Sequence, residues 1–106
     1  MAKRIDDRGD PGRLVIQAER HVSGRTERFN VIVEEDVWED LYHVNGPDGP
    51  AMTVEQAYEL DRPFLDALAE GLANAGGGEP SPEARRTHER RYTLRELEEA
   101  RRRFRS

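Results

Sequence analysis

Three groups of residues could carry chemistry in this chain. The first is the acidic run Glu34-Glu35-Asp36, joined by Glu39 and Asp40. Carboxylates at that density can hold a hard cation such as Mg²⁺ through oxygen ligands. Their spacing matches no known cation loop, and acids at the start of a helix are stabilised by its dipole without any metal. No metal is inferred. The second group is His21, His43 and His88. They lie far apart on three different elements, never at the i, i+4 spacing of a metal-binding helix, and no serine has a recognisable partner nearby. The chain has no cysteine, which removes a thiol nucleophile, a disulfide framework and a cysteine-based zinc site. Gly76-Gly77-Gly78 follows a helical pattern rather than a strand, the wrong context for cradling phosphate. The expected reading is a protein that is not an enzyme, with no cofactor and no small-molecule substrate. The third group is the arginines Arg85, Arg86, Arg90, Arg91, Arg101, Arg102 and Arg103, whose guanidinium groups could contact phosphates.

Charge distribution sharpens that last point. The net charge of −5 covers 106 residues, a length that suits one small domain and a tail. Residues 13–82 carry five basic and fourteen acidic groups, whereas residues 83–106 carry nine arginines and five glutamates. An acidic body with a basic tail has two readings: the tail folds back on its own body, or it is held out for an acidic partner. Hydrophobic content is 35% and charged content 37%, so the core is small. No apolar run approaches the roughly 20 residues that span a bilayer, and the first residues lack a signal-peptide pattern. A cytoplasmic protein with no membrane partner is expected. Arg8-Gly9-Asp10 spells an adhesion tripeptide, which without a secretion signal reads as coincidence.

The elements that would position these groups follow from periodicity. Residues 1–12 look like a flexible arm ending in the turn residues Asp10-Pro11-Gly12. From Leu14 to Glu34 the letters describe a β-hairpin closed at Ser23-Gly24. That register sets Ala18 opposite Phe29, Ile16 opposite Val31 and Leu14 opposite Val33 on one face. It also sets Glu19 against Arg28 and Arg20 against Glu27, and a one-residue slip would destroy both sets. Residues 37–44 read either as a helix or as a third strand. The helix is preferred, with Asp36 as N-cap, Glu39 as its reciprocal partner, and Trp38, Leu41 and Tyr42 on one face. Thr53 and Gln56 hold capping-box spacing for a helix over Val54–Ala75, kinked or broken near Asp61-Arg62 by Pro63. Phe64, Leu65, Leu68, Ala69 and Leu72 form its stripe, the expected cover for the hairpin.

The expected fold is therefore α+β: two or three antiparallel strands packed on a kinked helix, with a tethered basic C-terminal helix. The expected units are a 1–12 arm, a 13–75 domain, a 76–82 Gly/Pro linker with Ser81-Pro82 as helix entry, and an 83–106 helix. Within that last helix Thr93 and Glu96 have capping-box spacing, and Leu97, Ala100 and Phe104 share a narrow apolar stripe. An edge so thin must dock on something. Leu97, Ala100 and Phe104 are thus candidate partner-binding residues, with Trp38 and Tyr42 as further anchors, although core packing against the hairpin is the preferred reading of Trp38.

Phe29-Asn30-Val31-Ile32-Val33-Glu34-Glu35-Asp36 with the later Thr53-Val54-Glu55-Gln56-Ala57 is similar to the strand and T-x-E-x-A helix start of HicB-type antitoxins. The match covers under a quarter of the chain, and the family's intervening proline-and-glycine strand is missing. The resemblance implies a small regulator with a basic C-terminal element. Two functions emerge. One is a non-enzymatic protein–protein interaction module (an adaptor, inhibitor or regulator) docking through the hairpin and C-terminal helix, with a protein partner or a homodimer. The alternative is an antitoxin-like nucleic-acid-binding regulator using the arginine-rich helix.

Overall fold

A computed structural model describes residues 2–22, 24–75, 79–80 and 87–106. Ser23 of the hairpin turn, the glycines 76–78 and the helix entry at Ser81-Pro82 lie outside the described residues. The fold is α+β. Its elements are β1 (Lys3–Ile5), β2 (Leu14–Val22), β3 (Arg25–Val33), α1 (Glu35–Tyr42), α2 (Val54–Leu60), α3 (Arg62–Ala75), β4 (Glu79–Pro80), β5 (Thr87–Arg91) and α4 (Leu94–Arg105). The strands form one sheet in the order β1-β2-β3-β5-β4.

β2 and β3 pair antiparallel, with Leu14 opposite Val33, Ile16 opposite Val31, Ala18 opposite Phe29 and Glu19 opposite Arg28. Gly24 stands at φ +76°, the left-handed conformation a tight hairpin turn requires. Leu14, Ile16, Phe29, Val31 and Val33 are fully enclosed. α3 packs against β2 and β3, and its Phe64, Leu65, Ala69, Leu72 and Ala73 join those strand residues in one core. Trp38 and Leu41 of α1, Val54, Ala57 and Tyr58 of α2, and Leu97 of α4 complete it. Val15 and Ile32 point the other way and stand outside that core. They are nonetheless buried, in a row with Ile5 and Arg91.

Four expectations are corrected. The sheet is mixed, not purely antiparallel: β5 runs parallel to β3, with Phe29 beside His88 and Val31 beside Arg90. The first twelve residues are not all a loose arm, because Lys3–Ile5 pairs with β2 and sets Ile5 opposite Val15. The pairing satisfies backbone groups that the edge of β2 would otherwise leave open. The helical cover is two helices rather than one kinked helix. Asp61, at φ −132°, separates α2 from α3, and Pro63 falls in the first turn of α3, where a missing N–H costs nothing.

The fourth correction concerns the tail. Residues 87–91 are a strand, and the C-terminal helix starts only at Leu94. That segment has no apolar stripe to hold a helix down, while the edge of β3 offers it unpaired backbone groups. Tyr92 N–H also donates to Ile32 O, at 3.1 Å. α1 differs in its ends rather than its existence. Its N-cap is Glu34, not Asp36, with no side-chain cap, because the chain turns straight out of β3 into the helix. It stops at His43, in the left-handed conformation at φ 54°.

Candidate protein-docking surface

α4 begins at a complete capping box. Thr93 Oγ1 accepts from the Glu96 N–H at 3.2 Å, and the Glu96 carboxylate accepts from the Thr93 N–H at 3.1 Å. That backbone bond, with the Arg90 guanidinium at 3.1 Å, holds the Glu96 carboxyl below its ordinary range. From this fixed start the helix turns Leu97 wholly into the core, leaves Ala100 half-buried and leaves Phe104 48% exposed. Phe104 rests on Phe64 of α3, ring centroids 5.7 Å apart and tilted by 52°. One turn back along α4 and one turn on along α3, Ala100 and Leu68 line a groove of about 230 Å³ together with Tyr92. Its rim carries Arg90, Glu96, Glu99 and Arg103. The Arg90 guanidinium lies 4.4 Å over the Tyr92 ring, and burial raises the Tyr92 phenol above its ordinary pKa.

The inner side of α4 is locked to Asp61, which is 7% exposed. Arg101 Nε lies 2.8 Å from Asp61 Oδ2, and Arg105 reaches Oδ1 at 3.8 Å. Tyr42 donates its hydroxyl to Asp61 Oδ2 at 2.9 Å. Burial, then the Asp61 charge and this bond, push the Tyr42 phenol far up. Arg101 also lies over the Tyr42 ring at 5.4 Å. A buried carboxylate therefore has two cations and one hydroxyl, the partners such a charge needs.

The candidate binding residues separate accordingly. Leu97 and Trp38 are 0% and 2% exposed, so the partner-anchor reading of both gives way to core packing, the reading the sequence already prefers for Trp38; Trp38 Nε1 donates to Gly12 O at 2.7 Å. Tyr42 is half-buried on the Asp61 cluster. Ala100 and Phe104 come together at the surface. Among the arginines, Arg85 and Arg86 lie outside the described residues. Arg90 pairs with Glu96, Arg91 with Glu34 at 2.9 Å, and Arg101 with Asp61. Arg102 and Arg103 are exposed with no ion pair among the described residues. Arg102, Arg103 and Arg105 also occupy the last turn of α4, where cations complement the helix dipole.

Sequence reasoning missed Leu68 and Tyr92, because each joins Ala100 only through the fold. It also missed a second concavity of about 400 Å³ on the sheet face away from the helices, where Ile5, Val15 and Ile32 meet Arg8, Arg13 and Arg91. There Glu34 is bridged by Arg13 at 3.2 Å and Arg91 at 2.9 Å. The pairing of Ile5 with Val15 was hidden by a first segment that has no periodicity of its own.

The histidines remain apart. His21 Nδ1 lies 3.0 Å from Thr26 Oγ1, His43 ends α1, and His88 stacks on Phe29 at 4.7 Å. No group of three metal-ligating side chains forms among the described residues. No described helix is long and apolar enough to cross a membrane. Compared with known proteins, the chain matches no family model, no curated protein and no solved structure. The residues that resemble HicB-type antitoxins fall at β3 leading into α1 and at the start of α2.

Proposed function

We propose that this protein is a non-enzymatic interaction module that docks a protein partner at the seam of α3 and α4, at Phe104 and the adjoining groove. One observation carries the reading: a phenylalanine that is 48% exposed stands one helical turn from a groove in which Leu68, Tyr92 and Ala100 lie among Arg90, Glu96, Glu99 and Arg103. Exposed aromatic residues ringed by polar groups are the usual anchors of protein interfaces. The antitoxin-like nucleic-acid reading has less support. Three of its arginines already hold carboxylates of the same chain, and Glu98 and Glu99 share the exposed side with Arg102 and Arg103, blunting attraction to phosphate.

The test is a photo-crosslinking side chain at position 104, with position 95 as control. The Arg95 side chain is 89% exposed. In extracts of the cells that make the protein, the expected product is a protease-sensitive, nuclease-resistant adduct from position 104 alone. An adduct removed by nuclease, or equal labelling from 95 and 104, overturns the reading.

A further inference from the structure

We infer that the partner docked on this surface is a second copy of the same chain, in an antiparallel α4–α4 pair about a twofold axis. The inference rests on the docking reading and deepens it. A twofold interface must be self-complementary: each patch has to supply both halves of every contact. α4 does so over a single turn. Phe104 offers the half of its ring that Phe64 leaves exposed, and Ala100, four residues earlier and so on the same helix face, lines the groove that would receive it. The groove has a volume of about 230 Å³ and offers Leu68, Tyr92 and Ala100 as its apolar lining.

The charges have the same property. Glu99 and Arg103 flank the groove, are also four residues apart, and carry opposite signs. An axis beside residues 101 and 102 sets Phe104 of each copy over Ala100 of the other. It also sets Arg103 of each against Glu99 of the other, giving two symmetry-related ion pairs. Within its own chain Glu99 leans away toward Arg95, at 3.6 Å, which leaves Arg103 without an ion pair among the described residues. The antiparallel arrangement further brings the arginine-rich end of each helix to the acidic half of its neighbour, the favourable sense for both helix dipoles.

The sheet edges favour this face over strand-to-strand assembly. β1 is three residues long and carries Lys3 and Arg4, and β4 contains Pro80; short, charged or proline-bearing edges resist pairing.

Sedimentation equilibrium of the full chain across a wide concentration range tests the inference. The wild type should move from one-chain to two-chain mass. Phe104→Glu should remain at one chain throughout, with its circular-dichroism spectrum unchanged. Glu99→Arg or Arg103→Glu should weaken pairing about tenfold, since each change is counted twice. Combining E99R with R103E should restore pairing to within about threefold. A one-chain mass for the wild type at every concentration, a dimer indifferent to F104E, or no recovery in the combined variant overturns the inference. If F104E loses its fold, the charge-reversal set still decides, because those side chains are on the surface. A monomeric wild type leaves the docking reading standing or falling on the crosslinking at position 104 alone.

Discussion

Leu97 shows what a single residue does here. Its side chain is fully enclosed where α4 meets the core, so Leu97→Ala should cost about 2–5 kcal/mol. Urea denaturation measures this, and a loss under about 1 kcal/mol would mean that α4 is not seated as described. Asp61 is a different kind of residue, since among the described residues it is the one buried anion, and it lies under the tail's cations. Asp61→Asn keeps an acceptor for Tyr42 but leaves Arg101 facing a neutral group. Breaking such a pair costs about 3 kcal/mol where burial is deep, and the partial exposure of both arginines puts the expected loss nearer 2 kcal/mol. Tyr58 supplies a pH signature. Burial, then its bond to Asp66 at 2.6 Å, pushes its phenol up to about 12, against an ordinary value of about 10. Its contribution to stability is whole below the unfolded value and fades as pH rises through the folded one, so unfolding free energy should fall between about pH 10 and 12. Tyr42 acts in the same sense at higher pH. Chemical denaturation of the wild type and Tyr58→Phe at several alkaline pH values would show it. The same slope in both proteins would count against the assignment.

At the scale of the element, α4 is a helix whose start is better specified than its end. Both halves of the Thr93–Glu96 box are made, and a cap of this kind is worth about 1 kcal/mol. Thr93→Ala should lower stability by that amount and raise amide exchange first in the opening turn of α4; uniform exchange along the helix would contradict it. The depressed Glu96 carboxyl contributes above the unfolded carboxylate pKa and is lost as pH falls through the lower folded value. β5 is the opposite kind of element. Nothing in Thr87-His88-Glu89-Arg90-Arg91 asks for a strand, and an isolated copy would have no reason to extend. It is a strand because β3 presents an open ladder beside it. The break between α2 and α3 lies between these cases: Pro63 demands an interruption, but a bend and a clean separation at Asp61 are equally compatible with its chemistry.

At the scale of the whole molecule, the tail is structural. Through β5 it adds to the sheet, and through Leu97 and Arg101 it closes the core and satisfies Asp61. A chain ending at residue 78 should therefore lose cooperative unfolding or precipitate, instead of behaving as a folded monomer with a missing appendage. A sharp thermal transition with the wild-type midpoint would overturn that. The charge asymmetry of the sequence finds its physical use in the same arrangement. Arginines of the tail meet carboxylates of the body at Arg91–Glu34, Arg101–Asp61 and Arg105–Asp61. Two large apolar side chains stay exposed among the described residues, Leu60 and Phe104, and the proposed docking uses the second.

Local pattern by itself determined the pairing of β2 with β3, the capping boxes at Thr53 and Thr93, and the apolar stripe of α3. In each case the information lies within a few residues: period two against period 3.6, a hydroxyl three positions before a Glu or Gln, and matched apolar and charged pairs across one turn. The tertiary structure alone decided that Lys3–Ile5 and Thr87–Arg91 are strands, that Leu97 is a core residue, and that Ala100 stands beside Leu68 and Tyr92 and Phe104 beside Phe64. The reason is the same throughout. A polar segment without periodicity takes its conformation from the edge it meets, and an apolar residue on a thin stripe is buried or exposed according to what the rest of the chain places over it. Neither the edge nor the cover is written in the segment itself.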